Sequence, residues 1–304
     1  MSGPETGSVR RPAVAGSFYP AAPEQCRQLA AAFVRAQPGV PAIAAERRWI
    51  GGIVPHAGWI CSGAIAGQTL ATMAASLGDA QSVDVVVIFG AVHTPLPIDA
   101  AALDSHDRWL VPGGDTAVSE ALRRKLTESS GALFGVDDRF HEREHAVEVE
   151  LPLVQQVWPG AAVLPVEVPP IDSAIEIGAR TAREVQVVGL RAVFLASSDL
   201  THYGPNYQFT PAGVGIAALQ WAKENDRRLL SVVSNMRPEA VVTEVRRQMN
   251  ACGGGAIAAM LAACREHGAN EALVLRHQNS FEVLQNVAPQ RPDNAVGYAG
   301  VVIG

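Results

Sequence analysis

Short apolar runs alternate with longer amphipathic stretches along most of this chain, and the alternation predicts its elements. Runs rich in Val, Ile and Phe mark strands near Trp49–Val54, Val83–Phe89, Ala161–Glu167 and Ala192–Ala196. Helices are expected over Pro20–Gln37, where Leu29, Phe33 and Val34 share a face, and over Gly63–Leu77, Thr116–Thr127, Glu144–Val157 and Ser173–Val188. Pro38 and Pro41 stop the first of these. Three more helices follow at Ala212–Ser234, Pro238–Arg247 and Gly254–His267, and strands Glu271–Arg276 and Val296–Ile303 close the set. Strands that are apolar on both faces, each followed by a helix, predict an α/β fold. Its sheet is mostly parallel and carries helices on both faces. The opening MSGPETGS is small and polar and predicts a frayed tail over residues 1–8. No linker, repeat or low-complexity segment divides the rest, so one domain over residues 1–304 is expected.

Composition narrows the partners. With 304 residues, 48% of them hydrophobic and 18% charged, the chain has the makings of a large core. A net charge of −6 disfavours general nucleic-acid binding, which needs clustered Lys and Arg. No apolar run reaches the roughly 20 residues that span a bilayer. The N-terminus lacks the basic-then-apolar pattern of an export signal, so no membrane partner is expected. The four cysteines, 26, 61, 252 and 264, form no CxxC pair and fit a reducing cytoplasm.

Chemistry collects just past the strands. His56 follows Pro55, which ends a strand because it cannot donate to a ladder. His93 follows VVVIFG in the same way, and Asp199 and His202 lie in SSDLTHYG directly after AVFLA. Ligands in open α/β sheets bind outside the carboxyl ends of the strands, so these side chains share one rim. Cys252 opens a Gly-rich helix, where the dipole favours its thiolate as nucleophile or soft metal ligand. Each has a plainer alternative: a loop histidine bonded to a carbonyl, an N-capping Asp, a packed thiol. Recurrence at several strand ends favours a site. Asp199 and His202, three residues apart, are expected to pair, the carboxylate orienting the imidazole.

His141-Glu-Arg-Glu-His145 fits the letters of HExxH, but its charged surroundings differ from the apolar helix of a zinc protease. A solvated helical turn explains it equally well. His106, His267, His277, Cys26, Cys61 and Cys264 are read as packing or surface residues.

Taken together, RPAVAGSFYP (11–20), PHAGWICSG (55–63), GAVH (90–93), EHAVEVELPLV (144–154), SSDLTHYG (197–204), NACGGGAI (250–257) and VGYAG (296–300) resemble the Memo family. This is the B component of the bacterial AmmeMemoRadiSam group. The resemblance implies a fold like that of class III extradiol dioxygenases of the LigB type, which hold Fe(II) with two histidines and a carboxylate. Carried over by position, it implies His56, His93 and Cys252 as metal ligands, His202 as acid–base residue, and Asp199 and His145 in the same pocket. Departures from the family pattern are Trp59 and Cys61 in place of tyrosines, Ala91 for a proline and Ala146 for a serine.

Three functions follow as expectations. The first is an Fe(II)-dependent oxidoreductase acting on a catechol-like or other vicinal-oxygen small molecule, with Trp59 as an apolar wall. Copper and zinc are alternatives to iron, since imidazole and thiolate suit all three. The second is a metal-binding regulatory protein with a peptide or protein partner, as eukaryotic relatives are described to be. The third is a metal-free hydrolase with Cys252 as nucleophile and His202 as base, which leaves His56 and His93 without a role.

Overall fold

The computed structural model describes residues 7–35, 44, 47–78, 83–129, 131–285, 287 and 289–304. Four parallel strands form the centre of a nine-stranded sheet: β2 (Gly51–Val54), β3 (Val85–Gly90), β8 (Ala162–Glu167) and β9 (Ala192–Ser197). They lie in the order β2-β9-β3-β8, which is the parallel core that the apolar runs predict. Both flanks turn antiparallel. β12 (Ala295–Ile303) runs against β2 and carries β10 (His202–Tyr203) and β11 (Ala272–Asn279). On the other side β4 (Ala101–Leu103) runs against β8 and pairs with β7 (Phe134–Val136).

Side chains of successive strand residues point to opposite faces, and here each face has its own core. Val85, Val87 and Phe89 of β3 pack with α5 (Ala174–Val188) and α8 (Gly254–Glu266). Val86 and Ile88 join the opposite cluster, with α1 (Pro23–Val34), α2 (Trp59–Leu77) and α4 (Leu151–Val157). The expected helices-on-both-faces architecture is therefore present. α2 is long and apolar enough by length and composition to cross a membrane, contrary to the expectation that no segment is. Eleven of its residues are buried, Ser62, Gln68, Thr69 and Thr72 among them, as befits a helix packed inside a core.

Several boundaries differ from the expectations, each for a local reason. Thr116 and Ala117 are not helical but belong to β6 (Gly114–Ala117), which forms a hairpin with β5 (Arg108–Val111). Gly113, at φ 102°, makes that turn. With β1 (Val9–Arg10) these strands form a second, three-stranded sheet, and α3 starts only at Glu120 (Glu120–Ser129). Residues 1–6 of the expected tail lie outside the described residues, and Ser8 is tied down: its N–H donates to Asp107 Oδ2 (2.8 Å) and Asp107 N–H donates to the Ser8 carbonyl (2.9 Å). Glu144–Val157 is helical only over α4, with Pro152 in its first turn. Residues 138–140 and 148–150 before it form 3₁₀ turns. The helix expected from Ala212 starts at Ile216 as α6 (Ile216–Ser234), because Gly213 and Gly215 take positive φ, and α7 (Pro238–Gln248) follows it.

α5 and α8 approach closely enough that a Cβ on Gly178 would overlap the Ala259 carbonyl. Gly178→Ala is expected to destabilise the protein by about 3 kcal/mol, since backbone cannot step aside as a side chain can. Urea unfolding measures this, and an unchanged midpoint would show that the two helices are not in such contact.

Candidate metal centre

Three imidazoles meet where β2, β3 and the 3₁₀ segment converge. His56, His93 and His145 each place a ring nitrogen within 4.8 Å of the others. Their ring centroids are 5.2 Å apart for His56–His93 and for His56–His145, and 4.6 Å for the stacked His93–His145 pair. Cys252 joins them: its Sγ lies 3.4 Å from His56 Nε2. His56, His93 and Cys252, the ligand set implied by the motifs, are thus adjacent. His145, expected only to line the pocket, stands inside the histidine cluster.

The tautomers follow from the partners. Ser197 donates its one proton to the Ala146 carbonyl (2.6 Å), so its Oγ accepts from His56 Nδ1–H (2.9 Å). His93 Nδ1–H donates to Glu144 Oε1 (2.8 Å), and His145 Nδ1 lies 3.2 Å from the same oxygen. Each Nδ1 is engaged away from the cluster, and His56 turns its Nε2 to the Cys252 sulfur. This is the arrangement in which a metal-binding histidine is held by an outer hydrogen bond.

Glu144 sets two of the three rings. Its carboxylate also accepts backbone N–H from His93 (2.7 Å), His145 (2.8 Å) and Ala146 (3.1 Å). Burial opposes its ionisation, but the bonds from His145 and His93 outweigh that and hold it well below the usual carboxylate range. Burial likewise lowers His93, yet the bonds to Cys252 and Glu144 prevail and push it up to about 11. His56, fully buried and beside His145 and His93, is held well below its ordinary value and is a neutral donor.

Asp199 and His202 lie at the same rim but do not pair as expected. Asp199 Oδ1 accepts the backbone N–H of His56 (2.9 Å), while His202 Nδ1–H donates to the Leu200 carbonyl (3.0 Å). A backbone carbonyl, not a carboxylate, orients that imidazole. Burial lowers the His202 pKa, so it is neutral with a free Nε2 lone pair. Burial raises Asp199 to about 7, against the pull of the His56 and Ala57 N–H groups.

Two further expectations are corrected. Trp59 is not a pocket wall: it is 3% exposed, packed between Tyr19 and Phe33, with Nε1–H donating to the Val149 carbonyl. The rings that do reach the site are Phe18, 4.8 Å from His145, and Tyr207, 5.0 Å from His202. The solvated helical turn expected for the HExxH letters is absent, as is a zinc helix: His141 is fully buried just past a 3₁₀ turn, with Nε2 on the Ala102 carbonyl. His106 keeps its structural reading, although it groups with Asp104 and Asp138. Those carboxylate oxygens already accept from His106, Trp109 and Ser105, so that group is a satisfied hydrogen-bond knot. All four cysteines are free.

The chain matches the family of Memo-like proteins over residues 10–302. It is 31% identical over 299 residues to a MEMO1 family protein of Methanococcoides burtonii, covering 97% of this chain and 100% of that protein. It is also 31% identical over 300 residues to one of Methanosarcina barkeri, with 97% and 100% covered. A third, of Pyrococcus horikoshii, is 30% identical over 305 residues, with 97% and 99% covered.

Glu144→Gln tests the outer bonds. A neutral amide cannot accept from both rings and three N–H groups, so affinity for Co(II) or Zn(II) is expected to fall about 10–100-fold. Competition titration against a chelator measures it, and unchanged affinity in a folded variant would remove Glu144 from this role.

Proposed function

Because the chain belongs to the Memo-like family, we propose that it is a non-haem iron redox enzyme of the extradiol-dioxygenase type. The substrate class is a catechol or another small molecule with adjacent oxygens. The observation that carries this reading is the shared orientation of three imidazoles, each Nδ1 tied outward by an oxygen, with a cysteine sulfur beside them. Such donors fit a divalent transition ion and not Mg²⁺ or Ca²⁺, which prefer oxygen. His56, His93 and Cys252 would hold it, with His145 as a further donor. Iron there would supply redox chemistry toward dioxygen and a Lewis acid for the substrate oxygens.

The chain's own groups account for the remaining steps. His202 Nε2, neutral and unpaired, takes the proton from a substrate hydroxyl and later returns it. Asp199 fixes the backbone that carries His56. Phe18 and Tyr207 stand beside His145 and His202 and offer flat apolar faces to an aromatic ring.

Protein purified without oxygen is expected to carry about one iron per chain, lost in His56→Ala and His93→Ala. Elemental analysis distinguishes iron from copper and zinc, which the same donors accept. His202→Gln is expected to keep the iron while slowing oxygen uptake with catechols about 10²–10⁴-fold. Bound metal with no uptake over a broad catechol panel would overturn the proposal.

A further inference from the structure

α6 turns a mostly apolar stripe toward the core: Ala218, Leu219, Ala222, Leu229, Leu230 and Val233. Asn225 and Asp226 interrupt it, and they are 0% and 1% exposed. Two polar side chains in an apolar core are costly unless they hold something in place. Here they hold two loops. Asp226 Oδ1 accepts the Thr201 N–H (2.9 Å), and Asn225 Nδ2 donates to Thr201 Oγ1 (3.3 Å). The same Asn225 Nδ2 donates to the Gln248 backbone carbonyl (2.9 Å), and Asn250 Nδ2 donates to the Asn225 backbone carbonyl (3.0 Å). Thr201 adjoins His202, and Asn250 lies two residues before Cys252.

The two loops are also laced directly. Leu200 bridges to Ala251, Cys252 N–H donates to the Asp199 carbonyl (3.3 Å) and Gly253 N–H to Ser198 Oγ (2.9 Å). Asp226 reaches Thr201 past Gly297, where any Cβ would overlap its carboxylate. The outer oxygen of Asp226 accepts from His277 Nε2–H (2.9 Å), which fixes the carboxylate's rotation. One glycine in VGYAG and one histidine on β11 thus serve the same pair.

We propose that Asn225 and Asp226 are positioning residues that set the thiol of Cys252 and the imidazole of His202 as one unit against the histidine cluster. The role in metal binding rests on the function proposed above; the role in holding the thiol does not. Cys61 provides an internal control, because it is free and partly exposed like Cys252 but is held by none of these bonds.

The test is alkylation of the metal-free protein by iodoacetamide, followed at each cysteine by peptide mass spectrometry, with circular dichroism confirming the fold. In Asp226→Ala and Asn225→Ala, Cys252 is expected to react roughly five- to tenfold faster than in the parent chain, the scale of a lost hydrogen bond. Cys61 should keep its rate. Asp226→Asn, which retains an oxygen for the Thr201 N–H, should restore the parent rate at Cys252. The Asn225 variant leaves the Asp226 carboxylate in place and covers the case in which Asp226→Ala does not fold. No acceleration at Cys252, or equal acceleration at both thiols, overturns the proposal. With Co(II) added, the alanine variants should keep bound metal but weaken the thiolate-to-cobalt charge-transfer band. A parent chain that binds no Co(II) defeats the metal reading alone, and the alkylation rates still decide the clamp.

Discussion

A single buried carboxylate, that of Glu144, governs the geometry on which the rest depends. Two imidazoles and three backbone N–H groups converge on it from residues 93, 145 and 146. The loop after β3 and the irregular segment before α4 are therefore fixed against each other at the point where donors are needed. The segment is anchored from behind as well. Buried Arg10 pairs with buried Glu148, donates to the carbonyls of His141 and Glu144, and lies over the Trp109 ring. Breaking such a pair from one side leaves a charge without its partner inside the protein, which is severe. This gives the N-terminal strand, far from the centre in sequence, a part in holding it.

The central strands and the rim were legible because their signals are local. Pro55, Gly90 and the polar SSDLTH stretch end apolar runs abruptly, and in this topology an abrupt end at the carboxyl edge places a side chain at the crevice. Cys252 was legible from its Gly-rich helix start. Glu144 is one charge among several in its segment, and its role depends on a partner 51 residues away. The hairpin turning at Gly113 was hidden in a sequence that also suits a helix start. Trp59 and Asp199 show the same limit: residue type suggested a wall and a pair, and packing assigned them otherwise.

The arrangement also explains why resemblance to the dioxygenases carries the fold further than the chemistry. One fold hosts many reactions, and the site decides among them. A sulfur beside the imidazoles gives an ion more charge than a carboxylate would and is itself open to oxidation. The polar clamp from α6 bears directly on this difference, because it governs how firmly that sulfur is offered.

X-ray absorption at the edge of the metal bound by protein purified without oxygen tests the central claim most directly. The account predicts imidazole nitrogens and one sulfur as neighbours of the ion, the sulfur lost in Cys252→Ser. A neighbour shell of oxygens alone, with neither imidazole nor sulfur, would contradict it.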